Sequence, residues 1–174
     1  FFKLQTRTNI YISNLHFDLY DYDNALEYAK RCLEIFKKYD YKQRLISVYH
    51  TLGNIYLKKE VFNLAIVNFK RSLVLSEPHT VGHMLANSGI GKVYYKEKMF
   101  EKAQKYLKLV IQQATELSNI EGIIISEFYL GRISFDEGNY KTSLEHLDIA
   151  FDLANEHSRK HDIMSIHEMF AQVY

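Results

Sequence analysis

The sequence predicts an all-α fold, a right-handed superhelical solenoid of antiparallel helix pairs with about nine helices. The chain matches itself at shifts of 38 to 40 residues, the mark of a repeat architecture. Within each copy the matched residues fall at helical spacing, so they share one helix face. One Pro and seven Gly in 174 residues leave too few turn-formers for an all-β sandwich or barrel. Hydrophobic residues make up 47% and charged ones 25%, a globular balance that excludes disorder, coiled coil and collagen-like repeats.

The elements follow in order from the copies. The first, Ile12-Ser13-x-x-His16 with Tyr22, Ala25, Ala29 and Cys32, predicts helices at about 4–20 and 22–38. Tyr49-x-x-Leu52-Gly53-x-x-Tyr56 with Phe62, Ala65, Phe69 and Ser72 predicts 41–58 and 61–76. Ile90-Gly91-x-x-Tyr94 with Phe100, Ala103, Leu107 and Val110 predicts 80–97 and 100–116. Leu130-Gly131-x-x-Ser134 with Tyr140, Ser143, Leu147 and Ala150 predicts 121–137 and 140–156. A fifth copy, Phe170-Ala171-x-x-Tyr174, yields a lone helix from about 160. Pro78 falls where a helix cannot run through, and Gly138-Asn139 supplies a turn. Gly53, Gly91 and Gly131 lie inside helices at about 1 kcal/mol of lost propensity each, which suits a neighbouring helix approaching too closely for a Cβ. The repeats at about 5–40, 41–78, 79–118, 119–158 and a partial 159–174 form a single domain over residues 1–174. Stacking pair on pair buries their apolar sides and curves an inner, concave face.

The pattern resembles the tetratricopeptide repeat (TPR) across essentially all 174 residues, best in the second copy, where Tyr49 stands where the family usually has Trp. The period of 38 to 40 exceeds the family's usual 34, so helices or connections are longer. The resemblance implies that the first helix of each pair lines the concave groove and that the residue after the Gly points into it. Those residues are Asn14, Asn54, Lys92 and Arg132, with Gln172 in the partial copy. Flanking positions on the same stripe are Ile10, His50, Ser88, Phe128 and Glu168, then Phe17, Leu57, Tyr95 and Phe135, then Asp18, Lys58, Lys96 and Asp136.

An apolar and aromatic floor beside amide and cationic groups suits an extended peptide. Asn and Gln offer donor and acceptor to its backbone, and Lys58, Lys92, Lys96 and Arg132 call for a carboxylate, either a C-terminus or an Asp or Glu side chain. Repeats near 40 residues of the form Gly-x-Ile/Val-Tyr also look like the sensor domains of Gram-positive peptide-responsive regulators, the Rap, NprR and PlcR group. That resemblance implies an imported peptide on the concave face, with Asn14, Asn54 and Asn87 holding its backbone, and a role in quorum sensing and transcriptional regulation. The output region of such regulators is not visible in the sequence, and Phe1 in place of Met suggests a fragment of a longer chain.

No catalytic constellation is present in the sequence, and the reading is of a non-enzyme without cofactor or metal. There is no Gly-rich phosphate loop and no Gly-x-Ser-x-Gly elbow. His79/His83 and His157/His161 have the spacing of a metal-binding pair but no third ligand fixed by sequence. Cys32 occupies a small-residue packing slot, and a single cysteine without a signal-like segment suggests the cytoplasm. A net charge of +1, from 22 basic and 21 acidic residues, predicts neither nucleic acid nor an anionic membrane as partner. The longest apolar run, Ile123–Ile125, is far below the roughly 20 residues of a membrane span.

The rival reading is a structural scaffold that assembles protein partners or associates with itself. Its motive is the last helix, where Ile163, Ile166, Phe170 and Val173 are expected to lie uncovered.

Overall fold

The structure, a computed structural model, describes the backbone of residues 2–174 and the side chains of residues 9–174. Among the described residues it holds nine α-helices: α1 Phe2–Asp18, α2 Tyr22–Lys38, α3 Lys42–Lys58, α4 Phe62–Leu75, α5 Val81–Lys96, α6 Phe100–Glu116, α7 Ile120–Asp136, α8 Tyr140–Glu156 and α9 Lys160–Val173. These bounds lie within about two residues of the expected ones.

The long period has a simple local origin. Helices of 17 residues alternate with three-residue turns, so a pair takes forty. All but one of the connections are built alike. The second residue after the helix end takes positive φ, as at Tyr20 (61°), Glu60 (57°) and Ser118 (51°), and the next N–H donates to the carbonyl five residues back. Asp21 thus reaches His16 at 2.8 Å, Val61 reaches Tyr56 at 2.9 Å and Asn119 reaches Ala114 at 2.8 Å. This left-handed cap satisfies carbonyls that the helix end would leave unpaired. The exception joins α4 to α5. Pro78 has no N–H and keeps Glu77 out of the helical region, so α4 stops after 14 residues and Ser76 is extended.

The chain divides into two compact units, residues 1–93 and 94–174. In the first, Ala25, Ala29, Cys32 and Phe36 of α2 pack on Leu45, Val48, Tyr49, Leu52 and Ile55 of α3. Small side chains on α2 bring α1 close enough for Ser13 Oγ to donate to the Ala25 carbonyl at 2.8 Å. One repeat later Phe69 replaces Ala29 and needs room, which glycine provides. A Cβ on Gly53 would sit 2.6 Å from the Phe69 ring.

The second unit centres on two clusters. Tyr95, Ala103, Leu107, Leu130 and Ile133 form one; Ile124, Leu147, Ala150, Ala154, Ile166 and Met169 form the other. Ser143 Oγ donates to the Gly131 carbonyl at 2.8 Å, fastening α8 to α7. Full burial of a side chain such as Leu107 or Leu147 contributes about 1.5–3 kcal/mol.

The last helix departs from expectation. Ile166 is sealed at 1% exposure, and Ile163, Phe170 and Val173 pack half-buried onto the cluster of α7 and α8. They occupy the positions of Leu45, Val48, Leu52 and Ile55 in α3, which face the core. The exposed residues are one position on: Met164 at 66% and Tyr174 at 92%, with His167 and Ala171 between. Their counterparts in α7, Ile124, Glu127, Gly131 and Ser134, are buried in the second unit.

Candidate functional site

On α1, α3, α5 and α7 the same local contrast recurs. Ser13, Gly53, Gly91 and Gly131 are buried, while the residues directly after them, Asn14, Asn54, Lys92 and Arg132, retain exposure. A helix advances 100° per residue, so a neighbour of a packed glycine emerges on the flank of the core face.

In the first unit, His50, Asn54 and Lys92 come together. Asn54 Nδ2 lies 3.4 Å from His50 Nδ1, a long hydrogen bond one helical turn apart on α3. The His50 ring also bonds the Leu85 carbonyl of α5 and packs 5.6 Å from the Phe69 ring. Burial, reinforced by the Lys92 charge, lowers the His50 pKa to about 4. A neutral imidazole follows at pH 7, with one nitrogen donating to Leu85 and Nδ1 accepting from Asn54.

In the second unit, Tyr95, Phe128 and Arg132 form a stack. The Arg132 guanidinium carbon lies 5.2 Å from the Tyr95 ring centre and 5.7 Å from that of Phe128. Tyr129 meets Tyr95 edge-on at 5.3 Å. Burial pushes the Tyr95 hydroxyl above its ordinary pKa; Arg132 opposes that shift and Asp136 adds to it, both within hydrogen-bonding reach. Tyr95 therefore accepts from the guanidinium and donates to the carboxylate.

The remaining expected residues sit apart. Asn14 lies on the lip of a small cleft with Ser13, Ser47 and Thr51. Lys58 and Lys96 are exposed at helix ends, and Phe135 packs into the α7–α8 cluster against Tyr140. Asn87, an expected backbone holder, is 2% exposed and lies 3.4 Å from His83 Nδ1. Asn87 stands 38 residues after Tyr49, in the packing slot of that tyrosine, and packing wins there. Tyr129 and Gly89 were not expected; Tyr129 stands beside Phe128, and Gly89 two positions before Gly91.

Other chemistry is sparse. Cys32 is fully buried, which raises its thiol to about 11. Among the described residues no three His, Cys, Asp or Glu gather as metal ligands, and no helix is long and apolar enough to cross a membrane.

Comparison with known proteins agrees with this architecture. Residues 8–39 match the family profile described as Tetratricopeptide repeat. The fold aligns with RapI in its apo form at TM-score 0.81, over 98% of this chain and 63% of that one, at 16% identity. This is a TPR fold. Aspartyl phosphate phosphatase F from Bacillus subtilis aligns at TM-score 0.83 and 16% identity, over 93% of this chain and 43% of the phosphatase. Outer dynein arm-docking complex subunit 4 of Danio rerio is 25% identical over 144 residues, 83% of this chain and 29% of that relative. The chain thus spans less than two thirds of each.

Proposed function

We propose that this TPR chain is a recognition module that binds an extended peptide or protein segment along its first helices, without catalysis. The observation that carries the reading is the fourfold contrast between buried Ser13, Gly53, Gly91 and Gly131 and the accessible hydrogen-bonding residues that follow them. Amide and cationic side chains raised from a packed scaffold can pair with a backbone whatever its side chains. The expected role is the peptide-sensing part of a cytoplasmic bacterial signalling or transcriptional regulator, supported by the likeness in fold to RapI and phosphatase F. A ligand touching several helices signals by its different affinity for alternative arrangements of them. Passing a mixed-sequence library of short peptides over the immobilised chain tests this: retention of a defined subset supports it, and retention of none refutes it.

One set of observations favours a second reading, a scaffold for protein assembly. Tyr11 and Leu15 of α1 and Leu19 just after it are exposed at 69, 57 and 65%, and Met164 of α9 and Tyr174 just after it are open. The resemblance to a dynein-arm docking subunit points the same way. Light scattering distinguishes self-association: concentration-dependent mass at micromolar chain supports it, and a monomer throughout argues against it.

A further inference from the structure

We propose that the outward faces of α6 and α8 form a self-complementary surface on which a second copy of this chain docks, α6 of each copy lying over α8 of the other. Both helices belong to the second unit, and because α7 returns between them they run in the same direction. They stand 40 residues apart in the repeat, so Ala103 and Leu107 of α6 match Ser143 and Leu147 of α8, all fully buried.

On the opposite side of the two helices the same register inverts the sign of charge. Glu101 of α6 corresponds to Lys141 of α8, Lys105 to Glu145 and Lys108 to Asp148, and all six are exposed. Beside them Leu109, 39% exposed, corresponds to Ile149, 46% exposed. Residues 101, 105, 108 and 109 follow helical spacing and so share one stripe, as do their counterparts on α8. Among the described residues none of the six charges takes part in an ion pair. Glu101 and Lys105 on α6, like Lys141 and Glu145 on α8, have the spacing of a pair within one helix and do not form it. Lys105 and Lys108 repel one another a turn apart, as do Glu145 and Asp148, with no compensation from within the chain.

A second copy supplies what each stripe lacks. A two-fold axis running along these helices sets α6 over α8 of the other copy in the same direction, so each residue meets its own counterpart in the repeat. Glu101 then faces Lys141, Lys105 faces Glu145, Lys108 faces Asp148, and Leu109 rests on Ile149. The symmetry makes each contact twice and closes the assembly at two copies. A single exposed ion pair contributes little. A patterned set of them around an aliphatic centre that excludes water orients the partner and rejects a mismatched one. The inference rests on the self-association reading and gives it a surface away from α1 and α9.

Sedimentation equilibrium at low and high salt tests this on the native chain, on Lys105→Glu/Lys108→Glu, on Glu145→Lys/Asp148→Lys, and on an equal mixture of the two variants, with circular dichroism confirming each fold. The native chain is expected to form a dimer that weakens as salt screens the pairs. Each variant alone sets like charge against like and should dimerise at least about tenfold more weakly. Their mixture restores opposite charges at both halves of the interface and should recover the dimer. Met164→Asp on α9 should leave dimerisation unchanged. A dimer indifferent to both charge reversals, or a mixture that stays monomeric while the native chain pairs, overturns this surface and leaves self-association standing. Mass that grows beyond two copies overturns the closed two-fold pairing. A native monomer at every concentration and salt overturns both the surface and the self-association reading.

Discussion

The ring of Phe69 occupies the space where a side chain on Gly89 would begin: a Cβ added at Gly89 would sit 2.4 Å from Phe69 Cε1. The same ring lies 2.6 Å from the corresponding point on Gly53, so one phenylalanine of α4 fits between bare stretches of α3 and α5. Gly89→Ala and Gly53→Ala each gain about 1 kcal/mol of helix propensity and lose more to the clash, for a net destabilisation of about 1–3 kcal/mol. Gly131→Ala meets Leu147 at 3.0 Å and the Ser143 carbonyl at 3.2 Å, and is expected to cost less. Urea midpoints check the ranking. Joining Gly89→Ala to Phe69→Leu should cost less than the sum of the two changes, because the smaller side chain vacates the contested space.

The turns offer a test free of packing. A Cβ at Gly138 meets nothing within 4 Å, and its φ is +78°. Gly138→Ala is therefore expected to cost about 1 kcal/mol through backbone conformation alone. Lys98, with φ of 58° in the equivalent turn, provides the converse: Lys98→Gly relieves that conformation and should come out neutral or slightly stabilising. Thermal melts of both variants would show opposite signs, or no destabilisation for Lys98→Gly; a large loss there would contradict the turn geometry.

His50 sets a pH dependence. Its folded pKa of about 4 lies below the ordinary 6.5, so between those values the unfolded chain takes up a proton that the folded chain refuses. Stability from this group is complete above pH 6.5, falls as pH drops toward 4, and is level below that. The full effect is up to about 3 kcal/mol. His50→Gln should flatten the acid limb of the stability profile. A ring titration by NMR with a midpoint near 6.5 would contradict the burial that holds His50 neutral.

Much of the fold was legible because packing is repetitive. Gly53, Ala65 and Phe69 recur as Gly131, Ser143 and Leu147 at fixed spacing, and each repetition reinforces the helix assignment. The turns were less legible, since Tyr20, Asp40, Glu60, Lys98, Ser118 and Ser158 take the left-handed conformation without being glycine. There the hydrogen bonds of the cap, not residue type, stabilise the turn. For the candidate site, spacing placed Asn54, Lys92 and Arg132 on accessible flanks, but not what each would touch. That Arg132 reaches Tyr95 of α5, or that His50 bonds the Leu85 carbonyl, depends on contacts between helices that a single-helix pattern does not encode. The exposed strip of α9 was misjudged by one position, which on a helix is 100°.

Because Asn54 is positioned by His50, its loss should tell on binding more than on folding. Asn54→Ala removes a half-exposed amide whose partner is one long hydrogen bond, so helicity and melting temperature should hardly change.

The most direct measurement is calorimetric titration of a peptide retained by the chain against native protein, Asn54→Ala and Lys92→Ala. A recognition surface on the first helices predicts a several-fold or greater loss of affinity in each variant, with unaltered circular dichroism. Equal affinity for all three folded proteins would place the ligand elsewhere and contradict the account.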